Sequence, residues 1–359
     1  MIILHVVGAR PNFMKVAPVI AALAGRCTQL LVHTGQHYDK NMSDVFFQQL
    51  GIPEPDINLE IGSGSHAVQT AQIMIAFEKV VLAKKPDWVV VYGDVNSTVA
   101  SAVVCSKLGI PLAHVEAGLR SYDRTMPEEI NRILTDRVAD LLLTPSSDGN
   151  ENLAAEGIDP ARVKLVGNVM IDTLVRLLPQ ASLPAGLPER FALVTLHRPF
   201  NVDEPTMLTA LWTMLNELAE RIPMVFPIHP RTRARLESLG LMQGNHSDLI
   251  LLEPQGYLEF LAMQQKATLV MTDSGGIQEE TTYLGVPCFT LRPNTERPIT
   301  ITEGSNMLIG SDLQLLRKEV IAVLDGTYKK GRNPELWDGN AGKRIAAILC
   351  PLPDSGAGV

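Results

Sequence analysis

Residues 87–118, DWVVVYGDVNSTVASAVVCSKLGIPLAHVEAG, decide the fold class because they contain two strands and the helix that joins them. WVVVY and IPLAHV are short, unbroken apolar runs, a pattern typical of strands buried on both faces. STVASAVVCSKLG has the length and composition of a helix and ends on a glycine. A strand, a helix and another strand in this order predict a parallel sheet covered by helices.

The same alternation of strands and helices continues along the chain. Further strand-like runs are IILHVVG, TQLLVHTG, FALVTLH, MVFPIHP, DLILLEP, ATLVMTDSG and VPCFTLR. Residues 91–120 and 271–292 follow one plan: a strand leads to a carboxylate, then a helix, then Leu-Gly-Ile/Val-Pro and a strand that leads to an arginine. We therefore predict an α/β protein with two doubly wound, Rossmann-like domains that face each other across a cleft, with domains at 1–168 and 169–339.

Composition excludes several classes of protein. The 359 residues suggest about two domains, and a net charge of −8 argues against binding of bulk nucleic acid. Apolar runs are too short for a membrane span, and the start of the chain is expected to be a first strand and not a signal peptide. The four cysteines are scattered, which argues against structural zinc or disulfides and predicts a cytoplasmic protein.

Charged side chains are concentrated in HVEAGLRSYDRTMPEEINR, residues 114–132, directly after a strand. Glu116 and Glu128 belong to this stretch, and Asp94 follows the preceding strand. If both strands end at the same sheet edge, the three carboxylates share one site, where crowding favours acid–base chemistry. The alternatives are a solvated loop for the stretch and, for Asp94, a capping role at the start of the next helix, which we expect Asn96 or Ser97 to cap.

Two strand–helix junctions have the features of anion sites. VVGARPNFMK places Arg10 and Lys15 at a helix start, although an ordinary turn with surface cations has the same pattern. In TDSGGIQEE, Ser274 can cap a helix whose first backbone N–H groups face a phosphate. The glycines there are Gly275 and Gly276, and Glu280, on the same helical face as Gly276, could accept hydrogen bonds from ribose hydroxyls. The alternative is a glycine-rich cap without a ligand.

Two histidines each follow a strand and precede an arginine. His197 lies in TLHRPF and His229 in PIHPRTR, and both are suited to anion binding or to purely structural roles. Arg292, with Glu296 and Arg297, follows a further strand. No metal-binding spacing and no GxGxxG fingerprint is present, so we predict that neither a metal nor a nicotinamide cofactor is needed.

These ingredients together indicate a nucleotide-sugar substrate. The second half offers a diphosphate site, and the first offers carboxylates but no nucleophilic serine or cysteine motif. Without a redox cofactor, no ketone can acidify a sugar C–H bond. Proton removal at C2 then requires loss of the nucleotide diphosphate from C1, so the chemistry that fits is elimination followed by re-addition.

The chain as a whole resembles the non-hydrolysing UDP-N-acetylglucosamine 2-epimerases. The motifs that carry the resemblance are, in order, GARP, HTGQHYDKNMS, YGDVNST, HVEAGLRS, MPEEINR, TLHR, TDSGGIQEE and NTERP, and they cover about residues 3 to 349. The resemblance implies a GT-B-like fold, a homodimer, and a C-terminal helix (about 340–359) that packs back onto the first domain. It also implies interconversion of UDP-GlcNAc and UDP-ManNAc through UDP and 2-acetamidoglucal, without a cofactor.

The resemblance implies a role for each matching residue. Asp94, Glu116 and Glu128 are the catalytic carboxylates, and His197 stabilises the departing diphosphate. Which carboxylate is acid and which is base stays open. The residues expected to bind the UDP-sugar are Arg10, Arg132, His229, Ser274, Gly275, Gly276, Glu280 and Arg292. Lys15 is added to them from the anion-site pattern above. Arg132 would also support the carboxylates.

Four positions depart from the commoner family pattern: Ala9, Asn12, Phe200 and Ile299. They leave open which UDP-sugar is preferred and whether a second UDP-GlcNAc activates the protein. The alternative within the family is an epimerase of UDP-2,3-diacetamido-glucuronic acid. Outside it are a GT-B glycosyltransferase, which would not need three clustered carboxylates, and a catalytically silent nucleotide-sugar sensor, which would be expected to have lost one of them.

Overall fold

The computed structural model describes residues 1–35 and 50–351. The chain divides into two compact units, Met1–Val175 with Glu335–Val359, and Arg176–Pro334. The first boundary lies after Val175 and not after residue 168, because the residues in between are bound to the first unit. The Thr173 hydroxyl donates to the Met14 carbonyl at 2.6 Å, and Asp172 accepts from the backbone N–H of Gly342 at 2.7 Å.

The first unit contains a seven-stranded parallel sheet in the order β3-β2-β1-β4-β5-β6-β7. Its strands are β1 (Ile2–Val7), β2 (Thr28–His33), β3 (Ile57–Asn58), β4 (Trp88–Tyr92), β5 (Leu112–Val115), β6 (Leu141–Thr144) and β7 (Val163–Leu165). Its helices are α1 (Arg10–Leu23), α2 (His66–Lys84), α3 (Asn96–Leu108), α4 (Pro127–Val138), α5 (Ser147–Ala155) and α6 (Val169–Leu177), whose last residues enter the second unit.

The second unit repeats this plan with a six-stranded parallel sheet in the order β10-β9-β8-β11-β12-β13. The strands are β8 (Ala192–Thr195), β9 (Met224–Pro227), β10 (Leu249–Leu252), β11 (Leu269–Thr272), β12 (Cys288–Thr290) and β13 (Asn306–Leu308). The helices are α7 (Pro199–Val202), α8 (Pro205–Ala219), α9 (Pro230–Ser238), α10 (Tyr257–Lys266), α11 (Gly275–Leu284), α12 (Ile299–Thr302) and α13 (Leu313–Leu324).

The unbroken apolar strands are explained by two cores in the second unit. Ala192 and Val194 of β8 belong to one buried cluster, whereas Leu193 between them belongs to another. Successive side chains of a strand point to opposite faces, so a sheet covered on both faces needs apolar residues at every position. The prediction of two doubly wound α/β domains is confirmed.

The chain returns to the first unit through α14 (Ala341–Leu349), which packs against α1. The Trp337 indole N–H, just before this helix, donates to the Pro145 carbonyl at 2.9 Å. No helix in residues 1–35 and 50–351 combines the length and hydrophobicity needed to cross a bilayer.

Candidate active site

The strand order of each sheet reverses at one point, and ligands of doubly wound sheets bind there, beyond the carboxyl ends of the strands. In the first unit this switch point lies between β1 and β4, which lead to Ala9 and Asp94. In the second unit it lies between β8 and β11, which lead to His197 and Ser274. Predicted site residues therefore flank both switch points.

Asp94 is held by Arg132 in the first unit. The Arg132 Nε lies 3.2 Å from Oδ2 of Asp94, and Nη2 of the same guanidinium contacts that oxygen. The remaining nitrogen, Nη1, donates to Oε2 of Glu129 at 2.7 Å. Arg132 is 3% exposed, so its planar group is a buried bridge between two carboxylates.

Glu129 is a residue that the sequence analysis did not select. Its carboxylate also accepts from the backbone N–H groups of Ser121 and Tyr122, both at 2.9 Å, and from the Ser121 hydroxyl. Glu129, Arg132 and Asp136 occupy positions i, i+3 and i+7 of α4, and all three are buried. Charged residues at the spacing of a core-facing stripe are the signal that could have revealed this buried network.

Lys15 and Glu116 form an ion pair, and each is 6% exposed. The pattern had predicted Lys15 as an anion-binding cation, and the structure places its ammonium group on a predicted catalytic carboxylate. Glu116 has a φ of +72°, an uncommon conformation for a residue with a side chain. Gly93, at the end of β4, leaves room for the lysine: a Cβ there would lie 2.6 Å from the Lys15 Nζ.

A second buried network supports the loop that carries Glu116. The Nδ1 of His114 lies 2.6 Å from Oδ1 of Asp136, whose other oxygen accepts from Arg120 at 2.7 Å and from the Gly118 N–H at 3.1 Å. Burial by itself would raise the pKa of Asp136, but His114 and Arg120 hold that pKa below its ordinary value. The carboxylate therefore stays ionised and fixes both ends of residues 114–120.

Glu128 lies in the first turn of α4 and is partly exposed. It lies one helical turn before Arg132, on the same face, and so on the side that meets Asp94. Within the part of the chain that the structure describes, its carboxylate makes no hydrogen bond or ion pair. Asp94 and Glu116 thus have cationic partners, whereas Glu128 has none among the described residues.

One expectation about the first unit is wrong, and another lies outside the described residues. The helix after Asp94 is not capped by Asn96 or Ser97, because its N-cap is Val95, and Asn96 donates to Gln69 at 2.8 Å instead. Residues 36–43 of the motif HTGQHYDKNMS lie outside the described residues, as does the placement of the Arg10 side chain.

The departure at Asn12 has a structural explanation. The Asn12 amide oxygen accepts from the backbone N–H groups of Gly8 and Ala9 at 3.2 and 3.1 Å. Its amide nitrogen donates to the Tyr92 carbonyl at 2.8 Å. Asn12 therefore joins the two loops that flank the switch point of the first unit.

In the second unit His197 is oriented by Asp273, the carboxylate that follows β11 and that was not among the predicted site residues. The His197 Nδ1 lies 2.9 Å from Oδ1 of Asp273, and the backbone N–H groups of His197 and Arg198 donate to the same carboxylate. Burial would raise the pKa of Asp273, but hydrogen bonds from His197, Asn201 and Arg198 hold it below its ordinary value. Since Nδ1 is occupied, Nε2 is the atom left for a ligand.

The start of α11, at Ser274, Gly275 and Gly276, has the features expected of an anion site. Ser274 occupies the N-cap of α11, but its hydroxyl caps no backbone N–H, so the predicted side-chain cap is wrong. The first N–H groups of a helix have no intrahelical partner, and the helix dipole favours negative charge beside them. A Cβ on Gly275 would lie 2.8 Å from Nη1 of Arg297, so only glycine lets the backbone and this guanidinium approach each other.

Arg292 and Arg297 belong to a buried charge cluster beside this helix start. Glu296 contacts both arginines, with Oε2 lying 3.0 Å from Nη2 of Arg292, and Arg297 also pairs with Glu279 at 2.8 Å. All four side chains are largely buried. The cluster holds two guanidinium groups rigidly, one of them against Gly275.

Two further predicted binding residues have partners within the second unit. Glu280 accepts from the Tyr257 hydroxyl at 2.8 Å and from the Gln264 amide at 2.6 Å, and burial raises its pKa. His229 is the exposed N-cap of α9, where its Nδ1 accepts from the Arg231 N–H at 3.2 Å. The neutral His229 ring therefore carries its proton on Nε2, as a donor for an anion.

Among the described residues there is no group of three or more His, Cys, Asp or Glu side chains placed to hold a metal ion. Independence from a metal or cofactor stays a prediction.

Comparison with known proteins assigns the family. The model of the family described as UDP-N-acetylglucosamine 2-epimerase matches residues 22–350. The chain belongs to this family. The resemblance inferred from the eight motifs is thereby confirmed, and members of the family that carry this name are isomerases.

Relatives and structures of similar length support this assignment. A UDP-N-acetylglucosamine 2-epimerase of Methanococcus maripaludis is 42% identical over 360 residues, covering 96% of this chain and 97% of the relative. A UDP-2,3-diacetamido-2,3-dideoxy-D-glucuronate 2-epimerase of Pseudomonas aeruginosa is 43% identical, covering 98% and 99%. The crystal structure of the Methanocaldococcus jannaschii UDP-GlcNAc 2-epimerase with UDP-GlcNAc and UDP has a TM-score of 0.86, 42% identity and coverage of 97% and 99%.

Proposed function

We propose that this protein interconverts UDP-GlcNAc and UDP-ManNAc by elimination of UDP and its re-addition. The observation that carries the proposal is the charge pattern of the first unit. Asp94 and Glu116 follow adjacent strands and are compensated by Arg132 and Lys15, whereas Glu128 has no ion pair in the described part of the chain. Carboxylates in such different surroundings are suited to exchange protons with one substrate.

The reaction balances without an oxidant. One carboxylate removes the proton from C2, the C2–H electrons form a C1=C2 double bond, and the C1–O bond breaks to release UDP. In the return step a proton is delivered to the opposite face of C2, and a diphosphate oxygen of UDP bonds to C1. Glu128 has no ion pair with any residue that the structure describes, so we assign it one of the two proton transfers.

The second unit is proposed to hold UDP. The diphosphate would meet the first N–H groups of α11, with the Arg297 guanidinium beside Gly275 adding positive charge. His197, held through Nδ1 by Asp273, would direct Nε2 at the departing diphosphate. Ser274, Gly276, His229, Glu280, Arg292 and Arg10 are further proposed contacts of the nucleotide; Lys15 is assigned to Glu116 and Arg132 to Asp94.

The direct test supplies UDP-GlcNAc alone to EDTA-treated, nucleotide-stripped protein in D₂O. We expect UDP-ManNAc with deuterium at C2, and traces of free UDP and 2-acetamidoglucal, because the removed proton exchanges with solvent. A product that keeps its C2 hydrogen at equilibrium, or a strict requirement for NAD or a divalent ion, would refute the elimination.

A second substrate has equal support from the comparisons. The diacetamido-glucuronate relative is as similar in sequence as the UDP-GlcNAc relative, so identity does not separate the two. Measuring kcat/KM for both UDP-sugars decides between them. If kcat/KM is at least tenfold higher for the diacetamido-glucuronate, that UDP-sugar is the substrate, and the proposed reaction is unchanged. Loss of sugar to an acceptor without epimerisation would instead indicate a glycosyltransferase.

The UDP site has its own test in Gly276→Asp, which places a negative charge at the start of α11. We expect UDP affinity in calorimetry to fall by at least about 2 kcal/mol, from lost charged hydrogen bonds and from repulsion. Gly285→Asp is the matched control, because Gly285 is the C-cap of the same helix and has open space around it. Equal UDP binding by both folded variants would exclude this site.

We also propose that the protein acts as a cytoplasmic homodimer. The scattered cysteines support the first statement, and the family resemblance supports the second.

A further inference from the structure

Two cysteines from opposite ends of the chain meet on the first unit. Cys27 and Cys350 are partly exposed free thiols, and their side chains share a hydrogen bond. The Cys350 sulfur also lies 3.6 Å from the carbonyl oxygen of Arg26, 324 positions earlier. A carbonyl oxygen lies about 2.8 Å from the next Cα across a trans peptide, so this sulfur is within about 6.5 Å of the Cys27 Cα.

The contact belongs to a pair of packed segments with a fixed register. α14 packs against α1, and a Cβ on Gly342 would lie only 2.6 Å from the Pro18 carbonyl oxygen. Eight positions after Gly342 is Cys350, and eight positions after Pro18 is Arg26. Contacts at both ends of α14 therefore agree in register, and they place the Cys350 sulfur beside the turn between α1 and β2.

We propose that Cys27 and Cys350 form a reversible disulfide, which makes the end of α14 a site of thiol oxidation. The oxidant is a small disulfide of the glutathione class. Disulfides of cytoplasmic proteins are usually transient, and a reversible bond agrees with that rule. The inference uses none of the residues assigned to the epimerase reaction and does not depend on that reaction.

The oxidation proceeds by two thiol–disulfide exchanges. The thiolate of one cysteine attacks a sulfur of oxidised glutathione, forms a mixed disulfide and releases one glutathione. The thiolate of the second cysteine attacks the protein sulfur of this mixed disulfide and releases the second glutathione. The pair loses two electrons to the oxidant, and the two thiol protons end on the two released glutathiones.

The positions of the two cysteines permit the bond. A disulfide needs Cα atoms about 4.4 to 6.8 Å apart and sulfurs that can turn towards each other. Cys27 directly precedes β2, and Cys350 directly follows the last residue of α14. Because neither residue lies inside a strand or a helix, rotation of the side chains can bring the sulfurs together while both elements stay in place.

The other two cysteines are protected. Cys105 and Cys288 are fully buried, and burial raises the pKa of each thiol to about 12. Burial also raises the pKa of the Cys27 thiol, and Cys350 raises it further, because two neighbouring thiolates repel each other. The thiolate is the reacting form, so exchange is selective for the exposed pair and faster at mildly alkaline pH.

Mass spectrometry of the oxidised protein tests the pair directly. The folded wild type is treated with excess oxidised glutathione at mildly alkaline pH, blocked with iodoacetamide and digested with trypsin without reductant. We expect the tryptic peptides 27–40 and 345–359 to be joined by a disulfide, with Cys105 and Cys288 unmodified. The product should migrate as a single chain on a non-reducing gel, and a reductant should separate the two peptides.

Cys27→Ser is the matched control for this experiment. In that variant Cys350 has lost its partner and should retain glutathione as a mixed disulfide, which shows that the oxidant reaches this sulfur. Wild-type protein that keeps glutathione on both cysteines without a cross-link would overturn the proposal. So would a wild type whose thiols all stay reduced while Cys350 of the variant is glutathionylated.

The equilibrium of the bond tests whether the fold favours it. In a glutathione redox buffer, the equilibrium constant for the Cys27–Cys350 disulfide should be at least about 100-fold larger in the folded protein than in the urea-unfolded chain. The fold holds together two thiols that otherwise close a very long loop. Equal constants in the two states would show that the contact does not promote the bond and would overturn the proposal.

The disulfide should also hold the last turn of α14 on the first unit. The Cys350 backbone N–H donates to the Ala346 carbonyl at 2.9 Å, and its hydrogen exchange should slow by at least about tenfold on oxidation. α13, in the other unit, is the control and should exchange at an unchanged rate. Equal exchange of the Cys350 N–H in the reduced and the fully cross-linked protein would exclude this effect on α14.

None of these measurements needs a UDP-sugar. Failure of the cysteine pair to cross-link therefore leaves the proposed epimerase reaction intact, and inactivity towards UDP-sugars leaves the cysteine pair intact.

Discussion

Asp273 and His197 are joined twice: the imidazole Nδ1 lies 2.9 Å from Oδ1, and the His197 backbone N–H lies 3.0 Å from Oδ2. Asp273 is fully buried, whereas the His197 side chain is 46% exposed. A buried anion thus fixes the direction of a ring whose other nitrogen faces outward. This relationship makes Asp273 a positioning residue for the proposed departure of UDP.

Asp273→Asn should lower kcat by about 10²-fold, the scale of one misplaced electrostatic group. The amide keeps the size of the side chain but loses the charge and one acceptor for His197, Arg198 and Asn201. The measurement is a double-mutant cycle with His197→Gln, because a residue that acts through the ring should add little once the ring is gone. If the two substitutions together lower kcat by the product of their separate effects, Asp273 does not act through His197.

Glu128→Gln and Glu129→Gln are adjacent, chemically identical changes with opposite expected outcomes. Glu128→Gln should lower turnover by about 10²-fold or more, as expected for a proton-transfer residue, and leave the free energy of unfolding nearly unchanged. Glu129→Gln removes the charge that faces Arg132 and should destabilise the protein by about 3 kcal/mol. Chemical denaturation and initial rates on both variants separate the two roles.

The pair of variants also tests the site as a whole. Near wild-type turnover of Glu128→Gln would mean that this carboxylate transfers no proton to or from the substrate. Unchanged stability of Glu129→Gln would mean that the Arg132 bridge has no energetic importance.

Gly93→Ala should reduce activity more than its effect on stability explains. The new methyl group would lie 2.6 Å from the Lys15 Nζ and displace the lysine from Glu116. Gly109→Ala is the control, because Gly109 has the same left-handed conformation (φ +67° against +63°) and nothing within 4 Å. Gly109→Ala should lose about 1 kcal/mol of stability from the left-handed backbone. Gly93→Ala should lose more, because it also breaks a buried ion pair, and only Gly93→Ala should lose turnover. Equal turnover in the two would exclude a role for the lysine.

Stability should fall as the pH is lowered from about 6.5 to about 4 in a way that depends on His5. Burial lowers the pKa of His5 from 6.5 to about 4, so the unfolded chain binds a proton in this window before the folded protein does. Protonation therefore favours unfolding, by up to about 3 kcal/mol at the lower end. Denaturation curves of wild type and His5→Gln at several pH values isolate this contribution from that of the carboxylates. Parallel pH profiles would show that His5 does not titrate as expected.

Much of the site could be predicted from the sequence because strand ends can be recognised there. Asp94, Glu116, His197 and Ser274 each follow an apolar run, and parallel strands bring such positions to one sheet edge. Family motifs added roles that the local patterns left open. The predicted domain boundaries differ by a few residues because α6 spans the junction and its attachment to Met14 and Gly342 joins residues distant in the chain.

The partners of the site residues could not be predicted in the same way. Glu129 and Glu128 are adjacent in the sequence and chemically identical, yet one is buried on Arg132 and the other is partly exposed. Lys15 had the pattern of a ligand-binding cation, and the structure pairs it with Glu116. Ser274 had the pattern of a side-chain cap, and its hydroxyl makes no capping bond.

The sequence by itself determined the α/β class, the two domains and the family, because each follows from local hydrophobic patterns and short contiguous motifs. Only the tertiary structure decided which carboxylate has a cation beside it, which two cysteines meet, and that Asp273 holds His197. These features depend on distances between residues far apart in the chain. His197 and Asp273 are separated by 76 positions in the sequence, and their side chains meet only because β8 pairs with β11.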